Sequence, residues 1–337
     1  SRSLFKSFLG VEVGGCFLAL HGNGQVKHSR KQVYAQAFAI YAFSAYYRLT
    51  ADAQALELAR KIYSLIEQHA VDLRHGGYFE AFSREWGELD DIRLSTKDLS
   101  SPKTMNTHLH VLEAYTGLLL AENRYHDRAA SVSQVSPPAH ILTLEASLKR
   151  LIKTYTNHFY NAKTGHLKMF LSADWSDESE ALSYGHDIES SWLVQEAYDL
   201  VAKVEVESEA WAMINTLAKT CIEEGIAQDG SVLDLFDLRT QENTTERVWW
   251  VQAEAMVGFF NCWQNINDDI YLQAVFKIWE FIKREHRDEK HGEWHWIAQC
   301  DQAEPDEYYK VGPWKGPYHN GRALLELCRR IDTIAFE

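Results

Sequence analysis

The sequence predicts an all-α fold, a ring of helical hairpins closed as an (α/α)6 barrel that lacks its N-terminal helices in this chain. Three observations predict it. Helical runs that are apolar all round alternate with runs that are apolar on one side, short Gly-aromatic segments separate the pairs, and those segments recur at a near-constant interval. With Gly15, Gly77, Gly165, Gly230 and Gly292 as markers, the interval is about 62 to 65 residues in three cases and 88 between 77 and 165. Two helices per unit at such a period mark an architecture whose units bury their faces on one another.

Residues 34–50 are apolar nearly all round, as in a helix buried on both sides. Ala51 to Ala70 follows with Leu56, Leu58, Ala59, Ile62, Tyr63 and Ile66 set against Glu57, Arg60, Lys61 and Glu67, the pattern of an outer helix. The alternation continues through 106–122 and 140–158, 186–203 and 207–225, 249–265 and 268–286, with a last helix near 318–331. Gly14-Gly15-Cys16-Phe17, Gly76-Gly77-Tyr78-Phe79, Gly165-His166-Leu167, Gly292-Glu293-Trp294 and the weaker Asp229-Gly230-Ser231-Val232 read as small hairpins or turns. The long interval is expected to carry an inserted loop at 123–140, where small polar residues and Pro137-Pro138 break the helical pattern. The chain, 1–337, is expected to form a single barrel domain. About nine helices are visible where six hairpins need about twelve, so the missing ones are expected before Ser1.

Composition narrows the partner. The 337 residues are 46% hydrophobic and 24% charged, an ordinary globular balance. The net charge of −14, with basic residues scattered, argues against a nucleic acid and for a neutral ligand. Aromatic residues make up 12%, with 11 Trp, and indole faces are common platforms for the apolar faces of sugars. Cys16, Cys221, Cys262, Cys300 and Cys328 are odd in number and lack a C-x-x-C pair, which reads as reduced thiols in a cytoplasmic protein. No apolar run of about 18 residues and no signal-peptide pattern is present, so no membrane association is expected. The expected partner is a small neutral sugar, with the chain a monomer or weak homo-oligomer.

The chemistry gathers where inner helices begin. In Ser183-Tyr184-Gly185-His186-Asp187-Ile188-Glu189-Ser190-Ser191-Trp192, Ser183 or Asp187 can cap the helix. His186, Glu189 or Ser190, and Leu193 then share a face, and a carboxylate one turn from a histidine can fix its tautomer and raise its basicity. Asn106-Thr107-His108-Leu109-His110, Trp249-Trp250-Val251-Gln252-Ala253-Glu254 and Pro317-Tyr318-His319-Asn320-Gly321-Arg322 open in the same way. Parallel inner helices would bring these first turns to one mouth, with histidines at equivalent positions of three repeats. His108 and His110 lie on nearly opposite sides of a helix, so only one can face a cavity. No H-E-x-x-H pattern marks a metal site, no G-x-S-x-G elbow marks a serine nucleophile, and no dinucleotide fingerprint appears. Glu189 and Glu254 could serve as a glycosidase pair, but the histidines would then have no role.

These four stretches, with Trp314-Lys315-Gly316 ahead of the last, resemble the motifs of the N-acylglucosamine 2-epimerase superfamily, most closely its cellobiose 2-epimerase and mannose 2-epimerase branch. The likeness runs from about residue 14 to the C-terminus. It implies His186 and His319 as an acid/base pair and His110 as a third histidine facing the sugar. Asn106, Tyr34, Glu189, Trp249, Glu254 and Trp314 are implied to bind substrate or support the histidines, with no metal, nicotinamide or flavin cofactor. Two departures stand out. The family's N-terminal hairpin, with an Asn-Ala-Arg-like motif, has no counterpart and is expected before Ser1. A glutamate expected ahead of the Trp-Trp motif is not clearly present, with Asp234 and Asp237 as candidates for its place.

The chemistry agrees with the likeness. The C2 hydrogen of an aldose becomes removable only in the open-chain aldehyde, where the electrons flow into an enediolate. One imidazole acts as base and another as acid from the opposite side, which suits an unperturbed pKa of about 6.5. The 123–140 insertion, read as a cover that leaves room for a monosaccharide, favours D-mannose/D-glucose 2-epimerisation. The alternatives are 2-epimerisation of the reducing-end glucose of cellobiose, an α/α-barrel glycoside hydrolase and a non-catalytic sugar-binding protein.

Overall fold

The computed structural model describes residues 8–10, 12–130, 138–201, 207–302 and 308–335. Among them are nine α-helices, here α1 (Val33–Thr50), α2 (Ala53–His69), α3 (Met105–Ala130), α4 (Ala139–Thr154), α5 (Tyr184–Val201), α6 (Glu207–Glu224), α7 (Trp249–Ile266), α8 (Asp269–Phe281) and α9 (Tyr318–Ala335). Each coincides with a helix expected from the periodicity. Contacts group the chain into two compact units. The first comprises Ser1–Phe159, Lys168–Ser179 and Glu196–Ala210; the second comprises Tyr160–Leu167, Glu180–Gln195 and Trp211–Glu337.

In the first unit α1 packs against both α2 and α3, and α3 also packs against α4. In the second, α7 packs against α8 and α9. The inner-to-outer connection is the same in both units. Ala51 closes α1 at φ 61 and Asp52 accepts a hydrogen bond from the Gln54 N–H, while Asn267 closes α7 at φ 56 and Asp268 accepts from Ile270. A left-handed residue followed at once by an acidic N-cap ends one helix and begins the next with no spare residues. Outer helices α4 and α8 each finish in a π-helical turn, Tyr155–Phe159 and Ile282–His286.

The expected loop at 123–140 is corrected in part. Residues 123–130 continue α3, whose 26 residues make it the longest helix described. Glu122 takes both ends of the Arg60 guanidinium at 2.5 and 2.6 Å, anchoring the helix where the sequence reading ended it. Pro138 caps α4, and residues 131–137 lie outside the described part.

The short Gly-aromatic segments are hairpins held by minimal pairings: Leu9 with Cys16, Val71 with Tyr78, Tyr160 with Leu167, Ile226 with Val232 and Arg287 with Trp294. One side chain from the following inner helix completes each hairpin. Gln36 accepts from the Cys16 N–H at 2.6 Å and donates to its carbonyl at 2.7 Å, and Gln252 does the same for Val232 at 2.8 and 2.7 Å. His108 accepts from the Tyr78 N–H at 2.9 Å, Asp187 from the Leu167 N–H at 2.9 Å, and Asn320 donates to the Glu293 carboxylate at 2.7 Å. A buried backbone amide without a partner is costly, which explains a polar residue at this otherwise apolar depth in the first four cases, whereas Asn320 reaches its hairpin through a side-chain carboxylate. His108 is therefore the structural histidine. Its Nδ1 lies 2.7 Å from the Thr104 carbonyl, and burial pushes its pKa down to about 3, so it is neutral.

A second repeated device is a buried cation ahead of the inner helices. The fully buried amines of Lys31, Lys103 and Lys315 reach the Gly14 carbonyl at 2.6 Å, Asp72 at 2.8 Å and Glu293 at 3.1 Å. Gly77, at φ 75, shows how tightly these parts meet. A Cβ there would lie 2.5 Å from the Trp175 ring and 2.9 Å from Nε2 of His108, so no side chain fits. No described helix is long and apolar enough to cross a membrane.

Replacing Gln252 by Leu removes both partners of the buried Val232 peptide groups. The expected loss of stability is about 2–6 kcal/mol, at about 1–3 kcal/mol for each orphaned group. Urea unfolding of the variant checks this, and an unchanged midpoint would show that the hairpin does not depend on the staple.

Candidate active site

The staples set a common register for the inner helices. One residue before the staple stand Ala35, Thr107, His186, Val251 and His319; two residues after it stand Phe38, His110, Glu189, Glu254 and Arg322. His186 and His319 thus occupy the same position of their helices. The expected third equivalent, His110, belongs instead to the position of Glu189, Glu254 and Arg322.

His186 is set by the start of α5. The Ser183 hydroxyl accepts the His186 backbone N–H at 3.3 Å and lies 2.8 Å from Nδ1 of the same residue. One hydroxyl therefore caps the helix and orients the imidazole. Asp187, the alternative cap, faces the other way, toward His166 and Leu167.

His319 is set by buried carboxylates. Its Nδ1 lies 2.6 Å from Oε1 of Glu254 and 3.9 Å from Oε1 of Glu189. The Arg322 guanidinium bonds the same two oxygens at 2.7 and 2.9 Å, packs over the Trp192 and Tyr318 rings and also donates to the Tyr318 hydroxyl. The Trp192 indole N–H donates to the other Glu254 oxygen at 3.1 Å. Burial pushes the Glu254 carboxyl up, but Arg322 and His319 together outweigh it and hold the group below its ordinary range. A charged Glu254 favours the Nδ1–H tautomer of His319.

Trp250 joins the two histidines. Its ring centroid lies 4.8 Å from that of His186 and 5.4 Å from that of His319. The sequence reading singled out Trp249. That indole is buried, 4.7 Å from the Trp296 ring and beneath the Lys315 ammonium at 4.9 Å, with only an edge contact to His319 at 6.3 Å. The half-buried Trp250 is the tryptophan between the histidines.

The other expected residues divide between the units. Glu189 and Glu254 join His186 and His319 in the second unit, where Trp314 is 44% exposed ahead of α9. In the first unit His110 is buried against the Tyr34 and Phe38 rings, at 5.0 and 4.8 Å, with Nδ1 3.0 Å from Glu113. Asn106, half-buried, stands one helical turn before His110 on the same face. Asp237 accepts the Arg239 and Thr240 N–H groups of its own turn, and Asp234 offers its backbone carbonyl to Tyr184.

Sequence reasoning missed Trp250, Arg322, Trp192 and the dual role of Ser183. Arg322 had a legible signal, because it follows His319 by the spacing at which Glu189 follows His186.

Possible ligand atoms of Glu189, Glu254 and His319 lie within 4.8 Å of one another, a spacing that could hold a cation. Arg322 already bonds both carboxylates and supplies that positive charge. A glycosidase acid needs a raised carboxyl pKa, and Glu254 is shifted the opposite way.

The model of the N-acylglucosamine 2-epimerase family matches residues 4–323. The chain belongs to this family. Similar family proteins include the cellobiose 2-epimerase of Bacteroides fragilis, 38% identical over 326 residues that cover 97% of this chain and 79% of the relative. That of Dictyoglomus turgidum is 35% identical over 331 residues, 98% of this chain and 79% of the relative. Among solved structures, cellobiose 2-epimerase from Bacillus thermoamylovorans superposes with a TM-score of 0.86 at 33% identity, covering 98% of this chain and 79% of that one. The D-mannose isomerase of Marinomonas mediterranea is 24% identical over 295 residues, 80% of this chain and 64% of the relative. This family member is an isomerase of the carbohydrate epimerase class, acting as a sugar 2-epimerase, and its fold class is the all-α helical barrel that the periodicity predicted.

In this epimerase, replacing Arg322 by Met leaves two buried carboxylates facing each other. The expected cost at pH 7 is about 3–5 kcal/mol. Because the Glu254 carboxyl lies below its ordinary value in the fold, the pairing contributes above the unfolded value of about 4.3 and is lost as pH falls through the folded one. Urea unfolding should therefore show the gap between wild type and variant steady from pH 7 to about pH 5 and narrowing as pH falls below about 4.3.

Proposed function

We propose that this epimerase inverts C2 of the reducing-end glucose of a β-1,4-linked disaccharide of the cellobiose type, through an enediolate, with His186 and His319 exchanging acid and base roles. The observation that carries the reading is the pairing of two imidazoles at one helical position, both against Trp250 and each with Nδ1 engaged by a different partner. Such a pair lets one imidazole take the C2 proton while the other returns one to the opposite face. The Glu254 carboxylate favours a proton on His319. The Ser183 hydroxyl, by contrast, gives His186 a neutral hydrogen-bond partner. Trp250 offers an indole face to the apolar side of the sugar. On this reading Glu189 and Glu254 act through His319, His110 is a third histidine facing the sugar, and Asn106, Tyr34 and Trp314 contact it.

The disaccharide is preferred to the monosaccharide for two reasons. Relatives called cellobiose 2-epimerase are 33–38% identical over at least 94% of this chain, against 24% for the one called D-mannose isomerase. The mannose expectation rested on a covering loop at 123–140, and residues 123–130 of that segment are helix. The exposed Trp314 indole is suited to stack on a second pyranose ring. The protein is proposed to work in the cytoplasm as a monomer or weak homo-oligomer on a neutral sugar, and five free cysteines support a reducing compartment.

Incubation with cellobiose in D2O, followed by NMR, should place deuterium at C2 of the epimerised disaccharide. Turnover of mannose should be at least about ten-fold slower. His186→Asn and His319→Asn should each lower kcat by about 10²–10⁴-fold, the range of a lost general acid or base. Faster turnover of mannose would return the monosaccharide reading, and release of free glucose would return the hydrolase.

A further inference from the structure

The staple beside His186 differs from the others. At the equivalent position Gln36, Gln252 and Asn320 carry neutral amides, and His108 is a neutral imidazole. Asp187 is instead a buried carboxylate with both oxygens committed to one hairpin. Oδ1 accepts the Leu167 N–H at 2.9 Å and Oδ2 lies 2.7 Å from Nδ1 of His166. Nε2 of His166 reaches Glu224, at the end of α6, at 3.2 Å. This carboxylate–imidazole–carboxylate line runs from the half-exposed Glu224 to the residue bonded to His186.

We propose that Asp187, acting through His166, is a positioning residue for His186. The pair fixes the rotation and depth of the first turn of α5, and so the angle at which the His186 imidazole meets C2 of the sugar. The proposal rests on the reading of His186 as one of the two acid/base groups. A helix start held by one neutral hydrogen bond can rotate about its axis, whereas a carboxylate bonded to a backbone amide and an imidazolium at once has two fixed directions. Placement matters at this site because an error of about 1 Å in a reacting group can cost about 100-fold in rate. Burial opposes the proton on His166, but the Asp187 and Glu224 carboxylates outweigh it and hold the imidazole above its ordinary value. The other titratable groups coupled to this joint are Tyr184, on the first turn of α5, and Cys221 of α6, and burial raises the pKa of both, so both are neutral at neutral pH.

The test uses C2 deuterium exchange on cellobiose with Asp187→Asn, His166→Gln and the double variant. Asp187→Asn keeps an oxygen for the Leu167 N–H, so the fold is expected to persist. It should lower kcat by about 10- to 100-fold with KM within about two-fold, because the sugar contacts are untouched. The double variant should be no slower than the slower single variant, since both changes break one joint. As pH rises past the raised His166 value, the charged joint is lost in the wild type as well, so the ratio of wild-type to variant kcat should shrink. A purely structural role would instead lower the melting temperature with kcat unchanged or with independent, multiplicative losses, and that result overturns the proposal. Should Asp187→Asn fail to fold, His166→Gln decides by the same split between kcat and KM. His186→Asn separates the two claims. Full exchange in that variant removes the functional reading itself, whereas its inactivity beside unimpaired Asp187→Asn and His166→Gln removes this inference alone.

Discussion

Hairpins this small cannot satisfy their own backbone. Each is held by one or two residue pairings, so amide and carbonyl groups at its base would be buried without partners unless something else supplied them. The following inner helix supplies them, from one position in its first turn. Because Gln36, His108, Asp187 and Gln252 all answer this need, each of their helices meets its own hairpin in the same register, while Asn320 holds its hairpin through the Glu293 carboxylate. The residue before the staple and the residue two beyond it then take defined directions. The chemistry is written on those two positions.

The register also explains the electrostatics of the second unit. Glu189, Glu254 and Arg322 stand at one position of three helices, and the structure brings them together around His319. Two carboxylates alone would repel at that depth, and one guanidinium bonding both turns the repulsion into a charged scaffold. The scaffold keeps Glu254 ionised, and an ionised Glu254 keeps the proton of His319 on Nδ1. His186 reaches a comparable orientation by a simpler route, a serine that caps the helix and touches the ring. The two imidazoles thus share a position and differ in the partner that holds Nδ1.

Specificity is a separate layer. The solved D-mannose isomerase shares the fold at a TM-score of 0.77 with 18% identity, so the architecture alone cannot choose the sugar. The one segment that favoured a small substrate begins as a continuation of α3, anchored through Glu122 and Arg60.

Periodicity alone determined the nine described helices and the hairpin markers, because burial on one side or on all sides leaves a local pattern that chain order preserves. It could not determine which of two adjacent residues faces which neighbour. Trp249 and Trp250 are alike in sequence, and only packing against Lys315 and Trp296 made the first a core residue and left the second between the histidines. His108 and His110 were likewise separated by the Tyr78 amide, a partner thirty residues away. The spacing of Arg322 from His319 was legible, but its partners were not, because they are carboxylates 68 and 133 residues distant. Local periodicity reports how much of a side chain is buried. The partner it is buried against depends on contacts that only the folded chain brings together.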